Sequence, residues 1–122
     1  MCWISKNIPV MQIAEKDLIV YKVVEHIDFR SCASLIYNFK YEYNQYYAIH
    51  NIEIEKTKCC YKINKGFHSY AKIPQWLFRP NAPYRVVKCI VPKNSIYYIN
   101  SSQAIVSNAI IILKKENVLS NK

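Results

Sequence analysis

The sequence predicts a mostly β fold, or α+β with at most one or two short helices: a single small domain of about six to eight short antiparallel strands and hairpins. Three observations predict it. The apolar residues are dense in Ile, Val, Tyr and Phe, the β-branched and aromatic types that pack on a pleated surface. Leu35 to Tyr43 alternates with a period of two, the mark of a half-exposed strand. Turn signals recur roughly every eight to twelve residues, the rhythm of antiparallel hairpins. With 122 residues the chain suits one domain, and a hydrophobic share of 52 % excludes an intrinsically disordered one. Residues 10–115 are expected to form the ordered core, with 116–122 a frayed tail.

Leu18 to Val24 reads as a largely buried strand, approached through a turn or short helical segment over Gln12 to Asp17. From Leu35 to Tyr43, Leu35, Tyr37, Phe39, Tyr41 and Tyr43 share one face, and Lys40 and Glu42 lie on the other. Tyr43 to Tyr46 is a turn, Tyr47 to Ile54 a return strand, and Lys58 to Ile63 a further short strand. Gly66, the one glycine of the chain, belongs where φ is positive or another backbone comes close. Ser69 is placed to cap a short helix around Tyr70 to Phe78, which Pro74 limits to about one turn on either side. Tyr84 to Val91, Ser95 to Ile99, Gln103 to Val106 and Ala109 to Leu113 are strands, separated by turns at Pro92-Lys93-Asn94 and Asn100-Ser101-Ser102.

The formal charge of +9 is uneven: residues 1–63 carry +1 and residues 64–122 carry +8, with Glu116 the single acid of the second half. Such a surplus attracts acidic proteins or nucleic acid. Lys65, Lys72, Arg79, Arg85, Lys88 and Lys93, with Tyr41 and Tyr70 as aromatic partners, are the candidate binding residues, expected to gather on one outward side. A Tyr37, Tyr41, Tyr43 stripe is of the kind that stacks single-stranded bases, although Lys40 falls on the opposite face. The same stripe serves a core or a protein partner equally well.

Five cysteines show no metal-ligand spacing. No CxxC pair exists, and His26, His50 and His68 stand at no zinc-like distance from a cysteine, so no metal and no cofactor is expected. Cys59 and Cys60, within the expected Lys58 to Ile63 strand, point to opposite faces and share no site. No apolar run reaches the roughly 18 residues that cross a bilayer, and the first residues lack the pattern of a secretory signal. A cytoplasmic location with reduced thiols and no membrane partner is the expectation. His68 and Ser69 are the weak catalytic candidates, and no catalytic residue is assigned. Adjacent strand residues point apart, so these two form no base–nucleophile pair by themselves. Glu53 and Glu55 share a face if Ile52 to Lys56 is a strand, and read as a solvated face.

Four stretches carry a resemblance: Val20-Tyr21-Lys22-Val23, Lys65 to Tyr70, Val87 to Tyr98, and Val106-Ser107-Asn108. In that order they resemble an uncharacterised small-protein family of bacteria and their phages with the pattern "vYKv … GFHSY … cxIPkgsxYY". This chain departs from the pattern at Val91, and at Asn94 where Gly is common. The resemblance implies an origin and no activity. The basic strand, the Gly-aromatic centre and the late Pro-x-x-Ser also resemble ADP-ribosyltransferase-like folds. That likeness implies Lys22 in the dinucleotide-holding position, and no residue for the late Glu that stabilises the ribose cation. The expected function is a non-enzymatic basic interaction module that meets an acidic protein partner. A nucleic-acid-binding protein and a degenerate ADP-ribosyltransferase-like domain are the alternatives.

Overall fold

The computed structural model describes residues 3–28, 30–34, 39–73 and 84–114. Every regular element among them is a strand. In chain order these are β1 (Trp3–Ser5), β2 (Gln12–Ile13), β3 (Leu18–Asp28), β4 (Ser31–Ser34), β5 (Lys40–Glu42), β6 (Tyr46–Ala48), β7 (Glu55–Lys56), β8 (Tyr61–Ile63), β9 (Phe67–Tyr70), β10 (Arg85–Val91), β11 (Ile96–Ile99), β12 (Ala104–Ser107) and β13 (Ala109–Ile112). The fold is a small antiparallel β domain, as the sequence predicts, with the chain divided into more and shorter strands than expected.

The larger sheet runs β2-β11-β12-β9-β3-β10-β13-β6, with β4 and β5 branching from β3. A smaller sheet, β1-β8-β7, lies beside it. Asn108 alone separates β12 from β13, yet three strands stand between them in the ladder. The path β12-β9-β3-β10-β13 therefore returns to the same stretch of chain. The sheet must curl into a closed ring, with Asn108 at the corner where one strand passes from side to side. Its backbone N–H donates to the Ile96 carbonyl (3.0 Å), its carbonyl accepts from Ile49 N–H (2.8 Å), and its Oδ1 accepts from Ile96 N–H (2.9 Å). The corner is thus hydrogen-bonded despite leaving the ladder.

Alternation decides what faces the inside. The register places Val20 opposite Cys89, and Cys89 opposite Ile112, in one inward row. Val24, Val87, Val91 and Ile110 join that row's face, and all are essentially without exposure. A second cluster joins the two sheets: Trp3, Ile63, Tyr98 and Val106, with Trp3 Nε1 donating to the Ala104 carbonyl (2.8 Å). Trp3 is 1 % exposed, so the packed core begins well before the expected residue 10.

Several expected elements are replaced. Of the turn or short helix expected over Gln12 to Asp17, the structure has a bend at residues 15–16 and no helix, and it adds β2, because Ile13 and Gln12 pair with Ile96 and Tyr97. The return strand after Tyr46 shortens to β6, and it pairs with β13 instead of β5. Burying Tyr47 against Ile110 on the inward side outweighs a local hairpin. Ser69 and Tyr70 lie in β9, where Ile105 and Ala104 pair with them, so Ser69 caps no helix. Residues 74–78 of the expected helix, the Leu35 to Asn38 part of the alternating stretch, and the 116–122 tail lie outside the described residues.

Gly66 sits at a positive φ and a close approach, as a lone glycine predicts. Its φ is 143°, and a methyl group there would overlap Val106 Cγ2 and lie 3.4 Å from the Ser107 carbonyl oxygen. Asn94, at φ 75°, holds the left-handed position of the β10–β11 turn.

Candidate functional site

β3 supplies an inward-facing lysine, the one buried charged side chain among the described residues. Tyr21 pairs with Lys88 on one edge and Tyr70 on the other, while Val24 pairs with Arg85 and Ser34. β9 and β4 therefore follow one another along the same edge of β3. Continuing the Tyr21–Tyr70 register would set Phe67 against Val24, a place Ser34 already holds, so β9 must splay away. The splay leaves the His68 carbonyl without a β3 partner at the fork. Lys22 fills it: Nζ donates to His68 O at 2.7 Å.

Lys22 faces inward, 6 % exposed, with Nζ 5.5 Å from the centroid of the Tyr41 ring. Burial pushes its pKa below the usual lysine value, and the nearby sulfurs of Cys89 and Cys32 partly oppose that shift. Burial raises both thiols, Cys89 to about 12. The Ser69 hydroxyl, one register step on from the Tyr21–Tyr70 pair and so across from Lys22, is buried with no hydrogen-bond partner. Amine, hydroxyl and thiols are close in kind to a nucleophilic site, but each of these groups is sealed inside the ring. The arrangement ties β9 to β3 at the fork.

His68 points the other way, and its Nε2 lies 3.0 Å from the Asn64 carbonyl in the turn before β9. Burial lowers its pKa. His68 and Ser69 thus occupy opposite faces of one strand, and the imidazole is spent on a local backbone group. No group of three or more metal-ligating side chains is found among the described residues.

The candidate binding residues do not converge. Lys65 and Lys72 are exposed in the segments flanking β9, and Lys93 is exposed in the turn after β10. Arg85 and Val91 end β10, about 20 Å apart by strand rise, so Arg85 and Lys93 lie at opposite ends. Lys88 is half-buried on the outer face, whereas Arg85 alternates with it onto the inner side near Tyr43. Arg79 lies outside the described residues. Tyr41 and Tyr70 are 4 % and 9 % exposed. Tyr41 is buried and packs edge-on against Tyr47 and against the exposed Phe39, so it is not free to stack on a base. The expected single outward cationic side is replaced by cations placed at both ends and on both faces of β10.

What the sequence reasoning missed is apolar. Ile19 pairs with Ile90, Ile90 with Ile111, and Ile111 with Tyr46, so these four side chains form one row across β3, β10, β13 and β6. The row faces outward: Ile19 is 51 % and Tyr46 58 % exposed, with Ile90 and Ile111 half-buried. Tyr21 and Lys88 form the neighbouring row on the same face. The signal was present in Leu18 to Val24 and Tyr84 to Val91, which are apolar on both faces, more than a one-sided core requires.

No family model, no curated protein and no solved structure matches this chain. No helix among the described residues is long and apolar enough to cross a membrane.

Proposed function

We propose that this chain is a non-enzymatic binding module that receives an acidic, partly apolar protein segment on the outer face of β3, β10, β13 and β6. The observation that carries the reading is the exposed Ile19–Ile90–Ile111–Tyr46 row with Lys88 in the row beside it. Apolar contact supplies the area and the ammonium group selects for carboxylates. The overall charge of +9 adds long-range attraction for such a partner. An origin in bacteria or their phages is part of the same proposal and rests on the motif resemblance alone. The nucleic-acid alternative loses support from the burial of Tyr41 and Tyr70 and from the dispersal of the cations along β10.

The test titrates the protein with a fluorescent peptide about ten residues long, alternating Glu and Leu, and with a single-stranded oligonucleotide of equal charge. We expect the peptide to bind and Ile19→Asp or Lys88→Glu to weaken it about tenfold, with the circular dichroism unchanged. Binding of the oligonucleotide alone, with a steep loss of affinity as salt rises and no response to Ile19→Asp, would favour the nucleic-acid reading and end this one.

A further inference from the structure

Cys59 and Cys60 do not lie in a strand. Thr57 N–H donates to the Cys60 carbonyl (2.8 Å), and Lys56 pairs with Tyr61, so Lys58 and Cys59 form the two-residue tip of the β7–β8 hairpin. The alternation that would separate two strand neighbours does not apply at a hairpin tip. Thr57 holds Cys60 from three sides: its Oγ1 donates to the Cys60 carbonyl (3.0 Å), accepts from Cys60 N–H (3.2 Å) and lies 3.2 Å from Cys60 Sγ. Cys60 is half-buried and Cys59 exposed, while Cys32 and Cys89 are closed off in the core. Lys56 and Lys58 are both exposed beside the pair, and Lys62 is tied to Glu55 at 3.3 Å.

We infer that the Cys59–Cys60 pair is a redox site for anionic low-molecular-weight disulfides, of which glutathione disulfide is the probe. Lys56 and Lys58 draw the carboxylates of the disulfide to the tip. Cys59 loses its proton to solvent, and its sulfur attacks one sulfur of the probe. The S–S bond of the probe breaks, and one glutathione leaves as a thiolate that takes up a proton. Cys60 in turn gives its proton to solvent, its sulfur attacks Cys59 Sγ, the mixed disulfide breaks, and the second glutathione leaves as a thiolate that takes up a proton. Two protein thiols are oxidised, and one external disulfide is reduced to two thiols. Adjacent Cα atoms stand about 3.8 Å apart across a trans peptide, closer than a relaxed disulfide allows, so the ring that forms is strained and readily reopened by thiols. Closure also draws Cys60 Sγ from Thr57 Oγ1, which couples the redox state to the hairpin tip.

The experiment treats the Cys2→Ser protein with glutathione disulfide, alkylates the remaining thiols in acid, and maps them by mass spectrometry. We expect both Cys59 and Cys60 to be protected, with no glutathione retained, while Cys32 and Cys89 remain alkylated after denaturation. Cys60→Ser is expected to stop at one glutathione on Cys59. Lys56→Gln with Lys58→Gln is expected to slow the reaction about threefold with glutathione disulfide and to leave the rate with uncharged hydroxyethyl disulfide unchanged. Alkylation of both tip thiols after treatment overturns the proposal, as does a stable glutathione adduct with Cys60 present. Equal slowing by both disulfides in the lysine variant overturns the anion preference.

Discussion

Gly66 shows how one residue type can be required by its surroundings. Its φ of 143° lies in a region that side chains rarely adopt, and β12 comes so close that Val106 Cγ2 occupies the space a Cβ needs. Gly66→Ala is expected to cost about 2 kcal/mol, combining backbone strain with overpacking. Urea denaturation at fixed pH reads this as a lower midpoint with an unchanged slope, and a midpoint equal to the parent's would show that the β9–β12 approach is looser than described. Lys22 is the opposite case, a residue that contradicts its site. A lysine among valines belongs at the surface by every propensity, and here its buried ammonium is met by the His68 carbonyl at the fork.

At the scale of elements, the β12–β13 corner is the piece on which the ring depends. Asn108 interrupts what would otherwise be one strand, and its side chain takes over the hydrogen bond to Ile96 N–H that a ladder carbonyl would have accepted. Ser107 Oγ adds a bond to the Ala109 carbonyl (3.0 Å) across the same bend. Asn108→Ala removes the acceptor and is expected to lower stability by about 1–2 kcal/mol, whereas Asn108→Asp, which keeps an oxygen at the same place, should stay closer to the parent. Equal losses in both variants, measured by thermal melts, would mean that the side-chain bond is not what holds the corner. The turn between β10 and β11, two strands that pair with other partners and not with each other, behaves locally. Asn94 supplies the positive φ of its turn, and Ser95 N–H donates to the Pro92 carbonyl (3.0 Å) within it.

For the molecule as a whole, the buried titratable groups set how stability responds to alkali, and they act in opposite directions. Lys22 has a lowered pKa in the folded state, so between that value and 10.5 the unfolded chain binds more protons. Its contribution to stability therefore rises with pH until 10.5 is passed. Cys89 and Tyr43 are raised to about 12 from ordinary values of 9.0 and 10.0, so the folded chain binds more protons in those windows. Their contribution is complete below the ordinary values and is lost as pH climbs towards 12. The Lys22→Met variant isolates the first effect. The unfolding free energy of the parent, minus that of the variant, is expected to grow as pH is raised towards 10.5, by at most about 1.4 kcal/mol per pH unit. A difference that stays constant from neutral pH upward would mean that the amine is charged in the fold.

Much of the architecture was legible in the residues themselves. The strands from Arg85 to Ile112 are nearly those expected, because Asn94 and Asn100 punctuate them and β-branched residues fill them. The positions of Gly66 and Asn94 follow from the stereochemistry of single residues, which needs no partner to be known. Alternation correctly separated Tyr41 from Lys40 and Glu42, but could not say which face met the core; closure of the ring buried Tyr41. Only the tertiary structure decided that β6 turns to β13, that β9 and β4 share an edge of β3, and that Lys22 goes inward to the carbonyl stranded between them. The same pairing set Ile19, Ile90, Ile111 and Tyr46 side by side. Pleat and turn preferences are properties of neighbouring residues, whereas register between distant strands is chosen by the total surface that the closed sheet removes from water.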